Sequence, residues 1–551
     1  MWCTLTWMCF FSLIAYVSST LTSVQTQYGT AHGRSLTTIN RMLYVAFYSI
    51  PYGEPPLAER RFMPPVKWTT KWNVARDFRH PGPVCPTLDI EPITSRDFES
   101  LSAFDSMTTL NPTQTMDEDC LRLDIIVPVT VTDRKTELRD HSRKPILIWF
   151  SNDEFRPRSD GSVLATRGDM IIVKVNYRVG VLGFLTTGFG SEVPGNAGLM
   201  DQQLALEWVQ RNIWDFGGDG NRVTLYGERG GLGTTSLHLY LEYSQPYFHR
   251  AIIPNDVSMP WNLPESSVSE AKELAYRAGC NLSMNLTSIT QIVSCLRSLS
   301  VEELIQISYE LEVMVNNKIT WGPVKDGVLF PATAYISSEY VIDSQNIMLG
   351  VESWNDLNIV GTLIGRNDVT EGVSQREYNR IVSDISDSFN LTKQSPIIFS
   401  AIQQTYNNWE DPTSPISRAH STLSLLYDWN ILYPAYEFLT VWSQDDNDSC
   451  VYLFVYDSEA LGQSFRLFDL ILGEEQSTDM SDIISQNLIS YWSNFVKQGN
   501  PNGHGSVDSF WPKFNFKDEK YIRINHSSAP REMERYRAYY VAFWFDYLPD
   551  C

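Results

Sequence analysis

The stretch GERGG, residues 227–231, follows the strand-like run Val223-Thr224-Leu225-Tyr226 and precedes the helix-like run from Gly233 to Leu239. Strand, Gly-x-x-x-Gly, helix is the layout that holds a nucleophilic serine at the tip of a tight turn, with its hydroxyl open to a carbonyl. The tip here carries Arg229. A guanidinium stays protonated and has no lone pair to offer, so it cannot attack a carbonyl. Thr234 and Ser236 are near in sequence but fall on the following helix rather than at the turn. Acyl transfer from a serine also needs a histidine base, an acid that orients the base, and backbone N–H donors for the oxyanion. Those parts decide what the turn is for.

A turn of this kind stands on a sheet. The nearly all-apolar runs Pro145 to Phe150, Met170 to Val175 and Arg222 to Gly227 read as short strands, and Leu199 to Val209 has apolar residues at helical spacing. Buried strands alternating with helices predict an α/β fold, a single large domain whose mostly parallel central sheet is flanked by helices. Tyr452 to Tyr456 adds a late strand, and the aromatic-rich Met533 to Leu548 is read as a helix stopped by Pro549. No internal repeat or low-complexity linker divides the chain.

Residues 1–19 form an apolar stretch ending in small residues, read as a signal peptide cut near Ser19, which leaves 20–551 as one secreted domain. No later segment is apolar enough to span a bilayer. A formal charge of -22 argues against nucleic-acid binding and suits a soluble protein with cationic partners. Beyond Cys3 and Cys9 the chain holds Cys85, Cys120, Cys280, Cys295, Cys450 and Cys551, an even count that suggests disulfides without fixing their pairing. None of the spacings resembles a metal site, and no cofactor motif is found. Sequons at Asn281, Asn285, Asn390, Asn447 and Asn525 are expected glycosylation acceptors.

Four stretches, EDCLRLDIIVP (118–128), NYRVGVLGF (176–184), NAGLMDQQLALEWVQRNIWDFGGD (196–219) and RVTLYGERGG (222–231), resemble the type B carboxylesterases and cholinesterases. IPYGEPPLAERRFMPP and YWSNFVKQGNPNG are similar to that family's terminal landmarks, so the resemblance runs from about Gln27 to Pro549. It implies an α/β-hydrolase fold. It also implies the disulfides Cys85–Cys120 and Cys280–Cys295, and leaves Cys450 and Cys551 paired with each other, free, or open to another chain.

The resemblance also locates the missing chemistry. The family's histidine falls on Ser464, and no histidine occurs between His420 and His504. His238, His249, His420, His504 and His526 lie outside the motif and are read as structural or surface residues. The family's oxyanion glycines fall on Asn152, Asp153 and Glu154, whose carboxylates oppose a developing negative charge. Only the acid has a counterpart, Glu371 in GRNDVTEGV, with Asp368 as the other register. Losing nucleophile, base and oxyanion glycines together describes a protein that is not a working serine hydrolase. A buried Arg229 is expected to pair with Glu154, Asp153 or Glu371 and to plug the old cavity.

The family includes non-catalytic adhesion molecules (neuroligins, neurotactin, gliotactin, glutactin). By that resemblance the chain is expected to act in extracellular recognition or adhesion. Two alternatives are a non-hydrolytic binder of a hydrophobic small molecule and an ester hydrolase with non-standard chemistry. The Cys85–Cys120 loop carries eight acids (Asp89, Glu91, Asp97, Glu99, Asp105, Asp117, Glu118, Asp119) against Arg96 alone, and could steer an extracellular or cell-surface partner with a basic surface. It contains no Trp, so the aromatic cation site of cholinesterases has no counterpart there. The C-terminal helix lies where family members pair, so homodimerisation is expected there.

Overall fold

The computed structural model describes residues 23–38, 40–87, 115–129, 143–150, 161–227, 231–255, 257–260, 263–280, 288–314, 321–331, 345–353, 360–361, 371–389, 395–443, 449–457, 479–503, 507, 509–525 and 529–548. Fourteen strands occur among them. Strands β1 (Ser23–Thr26), β2 (Gly29–His32) and β5 (Arg76–Asp77) form a small sheet. The large sheet contains β3 (Arg34–Thr37), β4 (Leu43–Pro51), β6 (Arg122–Pro128), β7 (Lys144–Phe150), β8 (Ile171–Val175), β9 (Gly218–Gly227), β10 (Arg250–Ile253), β11 (Asn346–Ser353), β12 (Val451–Asp457), β13 (Lys520–Asn525) and β14 (Arg531–Glu534). Its spatial order is β14-β13-β12-β11-β10-β9-β7-β8-β6-β4-β3. From β13 to β8 every pairing is parallel, while β6, β4 and β3 on one flank and β14 on the other run antiparallel.

The near-continuous apolar sequence of the parallel strands follows from burial on both faces. Ile146, Ile148 and Phe150 of β7 enter one hydrophobic core, with Val173, Leu225, Leu349 and Trp442. Leu147 and Trp149, the alternate residues of the same strand, enter a second core with Tyr226, Phe454, Trp492 and Trp511. This two-residue alternation is the pleat itself. A polar edge can still lie within the apolar layer when it finds a partner, as the Trp511 indole N–H does on the Leu453 carbonyl at 3.0 Å.

Two sequence expectations change. Met533 belongs to the edge strand β14, not to a helix; the terminal helical segment begins at Ala538 and continues as a wider π turn over Phe543–Tyr547. The break falls at Arg535 and Arg537, both with φ near +50°, a conformation that stops regular structure. From there Phe543, Trp544 and Leu548 sink into a third core against the helices Gln375–Ser388, Ser395–Tyr406 and Pro415–Tyr427. The acidic loop is also less free than its composition implies. Glu118 is bound to Arg61 and Asp119 to Arg122, both at 2.6 Å, so neither carboxylate is available to a partner. Residues 88–114 of that loop lie outside the described residues, as do residues 1–22 and Asn281, Asn285, Asn390 and Asn447. Asn525 sits half-buried at the end of β13.

Both disulfides implied by the resemblance are present: Cys85–Cys120, with Cα atoms 4.9 Å apart, and Cys280–Cys295, at 6.1 Å. Cys450 carries no disulfide, and Cys551 lies outside the described residues. Arg61 ties the two bridged regions together. Its Nε and Nη2 grip the Glu118 carboxylate at 2.7 and 2.6 Å. Its Nη1 donates to the carbonyls of Leu296, Arg297 and Leu299, at the end of the helix that holds Cys295. Both side chains are about nine-tenths buried. Arg61→Ala would strand a buried carboxylate and several carbonyls, at a cost of about 3–5 kcal/mol. Denaturant unfolding should show that loss, and the double replacement Arg61→Met with Glu118→Leu should lose less.

Candidate functional site

The loops that bear the candidate catalytic positions leave the same edge of the sheet. Strand β7 ends at Phe150, just before Asn152, Asp153 and Glu154; β9 ends at Gly227, just before Arg229; β12 ends at Asp457, ahead of Ser464. Phe150 and Gly227 are paired neighbours in the register, and β12 stands three strands away in the same parallel order. Ligands of open α/β sheets bind outside such carboxyl ends. Asn152, Asp153, Glu154, Arg229 and Ser464 themselves lie outside the described residues.

The supports of the turn are described. A Cβ on Gly227 would lie 2.3 Å from both the Gly231 carbonyl oxygen and Thr235 Oγ1. One on Gly231 would lie 2.1 Å from the Phe150 carbonyl oxygen. Strand end and helix start therefore approach too closely for any side chain. Packing alone demands both glycines, whatever chemistry the turn performs or has lost.

The helix Gly231–His238 is locked from below. Thr235 Oγ1 donates to the Gly231 carbonyl at 2.6 Å. Gln202 donates through Nε2 to Thr234 Oγ1 at 2.9 Å, which leaves its Oε1 to accept from His238 Nε2 at 3.0 Å. His238 Nδ1 then accepts from Ser244 Oγ at 2.9 Å. The imidazole also stacks on Phe150, with centroids 5.5 Å apart. Ser236 Oγ accepts from the Ser258 N–H and reaches the Ser258 carbonyl. Thr234, Ser236 and His238 are buried and engaged, so none of them is free to act as a nucleophile or base.

Among the other histidines, His249 is half-buried, accepts from the Val223 N–H, and is held below its usual pKa by burial. His420 is exposed on a distant helix, and His504 and His526 lie outside the described residues.

Glu371 is exposed in the turn before the helix Gln375–Ser388, well past the end of β11 at Ser353. Gly372 beside it takes φ +80° hard against Pro415. An exposed Glu371 is not the buried carboxylate that a plug with Arg229 requires. Asp368 lies outside the described residues. Glu352, marked by no motif, is an acid at the carboxyl end of β11. Desolvation pushes its carboxyl up to about 7, and Asn255 Oδ1 accepts its backbone N–H at 3.4 Å. Its only signal in the sequence is an acidic residue closing the apolar run IMLGV. Asp457, at the corresponding end of β12, is held by Arg523.

His238 generates a pH prediction. Burial lowers its pKa from 6.5 to about 3. Between those values the unfolded chain binds a proton that the native protein refuses, so stability falls as pH drops through this window, by about 1.4 kcal/mol per pH unit for a full proton. His238→Gln, whose amide can serve both Gln202 and Ser244, should flatten the stability profile between about pH 6 and 4 in urea titrations.

The chain matches the Carboxylesterase family over residues 20–544. It is 29% identical to neuroligin-3 of Mus musculus over 558 aligned residues, covering 91% of this chain and 66% of that protein. It is 28% identical to neuroligin-2 of the same organism, covering 96% of this chain and 67% of that protein. It is also 28% identical to the acetylcholinesterase of Electrophorus electricus, covering 96% of this chain and 88% of the enzyme. The chain thus spans about two thirds of the length of the neuroligins it matches. Glycine-walled turn, parallel sheet, disulfides and comparisons agree: the chain belongs to the carboxylesterase family and has its α/β-hydrolase fold.

Proposed function

We propose that this protein is a secreted, non-catalytic member of the carboxylesterase family that acts in extracellular recognition or adhesion. One observation carries the reading. Three separate strand ends that should deliver oxyanion donors, nucleophile and base are followed by Asn152-Asp153-Glu154, Arg229 and Ser464. Each substitution removes a different requirement of acyl transfer, and no single change restores the set. The likeness to neuroligin-2 and neuroligin-3 supports the adhesion half of the reading. The likeness to an acetylcholinesterase fits a scaffold shared with enzymes.

Removing members of a triad in a serine protease lowers turnover by about 10⁶. The variant Arg229→Ser is therefore expected to remain inert toward short aryl esters, because Ser464 and the Asn152–Glu154 segment are unchanged. Hydrolysis appearing in that single variant would mean that base and oxyanion donors persist elsewhere.

The partner is proposed to be an extracellular or cell-surface protein with a basic surface, complementary to the net charge of -22. Homodimerisation over the C-terminal segment, where Tyr539 and Tyr547 are exposed, belongs to the same reading. Fluorescent glycosylated protein should bind intact cells saturably, and trypsin treatment of those cells should abolish binding. Binding that survives trypsin would place the partner outside protein chemistry.

A further inference from the structure

A further cavity is lined by no residue of the strand ends. It is a groove of about 580 Å³ between the helices Ser395–Tyr406 and Pro415–Tyr427 and the start of the C-terminal helix. This falls within the range of ligand sites, about 300–1,000 Å³. One wall is a stripe of hydroxyls: Ser414, Ser417, Ser421 and Ser424 recur at helical spacing on one face of the Pro415–Tyr427 helix and its cap. Facing them are Asn407, Asn408 and Asp411, with His420 exposed on the stripe's own helix.

Some of these groups are already occupied. Ser414 Oγ caps the helix by accepting from the Ser417 N–H, and Ser424 Oγ accepts from Arg537. Tyr406 gives its hydroxyl proton to Asp428 and accepts from Trp544. Others have no hydrogen-bond partner among the described residues. Ser417 Oγ is buried without one, and such a group in a native wall calls for a ligand or water. The Asn407 amide, the Asn408 NH₂, the Asp411 carboxylate, Ser421 Oγ and His420 also make no described side-chain bond, although they converge on the same space.

The chemistry of the lining selects the ligand. No Lys or Arg lines the groove, and Arg537 behind it turns its charge onto buried Asp428, so a phosphate or sulfate has nothing to bind. A single carboxylate is too little for a multivalent cation. Apolar contact comes from Ile416 and from the tyrosines, and Tyr540 is already stacked on Tyr406 and on Arg537, which excludes a greasy ligand. What remains is a molecule with closely spaced hydroxyls that both donate and accept, bearing a modest apolar face. Ile416 and the Tyr540 ring supply that face. We propose that this groove binds a neutral saccharide, through the free amide, hydroxyl and carboxylate groups of Asn407, Asn408, Asp411, Ser417 and Ser421. The site is separate from the strand-end loops and does not depend on the recognition reading above.

Titration calorimetry of the full chain with two neutral trisaccharides, maltotriose and triacetylchitotriose, tests this, with sialyllactose and inorganic phosphate as charged controls. At least one neutral trisaccharide should bind with a dissociation constant of about millimolar or tighter. Its affinity should fall about tenfold in Asn407→Ala/Asp411→Ala, two surface changes that leave the packed helices intact, and in Ser417→Leu, which fills the groove. Failure of both neutral sugars to bind overturns the proposal, as does preference for sialyllactose or phosphate, or binding indifferent to all three substitutions. A dimer in size-exclusion chromatography that binds no sugar would show the groove sealed by a second copy; it would overturn the saccharide site while leaving the adhesion reading untouched.

Discussion

Arg178 and Asp201 form the contact on which the candidate site rests. Arg178 reaches both carboxylate oxygens of Asp201 at 2.7 Å, through Nε and Nη2, and adds its own backbone N–H at 3.1 Å. The two side chains are 3% and 0% exposed. A pair so buried gains little over an apolar replacement, but removing either partner is costly because the other charge is left unpaired. It therefore fixes position more than it adds stability. Asp201 sits in the helix Ala197–Asn212, and the next residue, Gln202, holds Thr234 and His238 under the glycine turn. Asn196, at the head of the same helix, bonds the backbone of Val324 on both sides. One ion pair thus sets the helix that forms the floor of the glycine turn.

The maintenance of that floor has a physical reason independent of catalysis. Every group in it is spent on another group of the fold: imidazole on amide and hydroxyl, amide on threonine, serine on a backbone loop. Gly227 and Gly231 are fixed because any Cβ there would fall 2.3 and 2.1 Å from a backbone carbonyl oxygen. None of these constraints refers to a substrate. A chain can replace the residues at the tip of the turn and still need everything beneath it in order to fold.

Much of the centre was legible in the sequence because double burial leaves a strong signature. The runs at β7, β8 and β12 are apolar at nearly every position, β9 is so only at Val223, Leu225 and Tyr226, and all form the strands expected of them. The flanks were not legible. The Arg531–Glu534 strand is exposed at every position and charged apart from Met533, as suits an edge strand that must avoid pairing with another chain, so it carries no apolar pattern. The acids Glu118 and Asp119 counted toward a free acidic loop, because sequence does not reveal that Arg61 reaches Glu118 across the fold or that Arg122, three residues on, folds back onto Asp119. The same limit hid the groove, which exists only once the Ser395–Tyr406 helix is placed across from the serines. Glu352 has no motif at all, and its perturbed carboxyl comes entirely from the strands around it.

The account stands or falls on the absence of serine-hydrolase chemistry in a family scaffold that is otherwise intact. Its most direct test is the hydrolysis of short-chain aryl esters by the purified full-length protein, with and without a serine-directed organophosphate. The predicted result is a rate no higher than buffer and no covalent adduct by mass spectrometry. Turnover abolished by the organophosphate, with one equivalent of adduct on a serine, would contradict it.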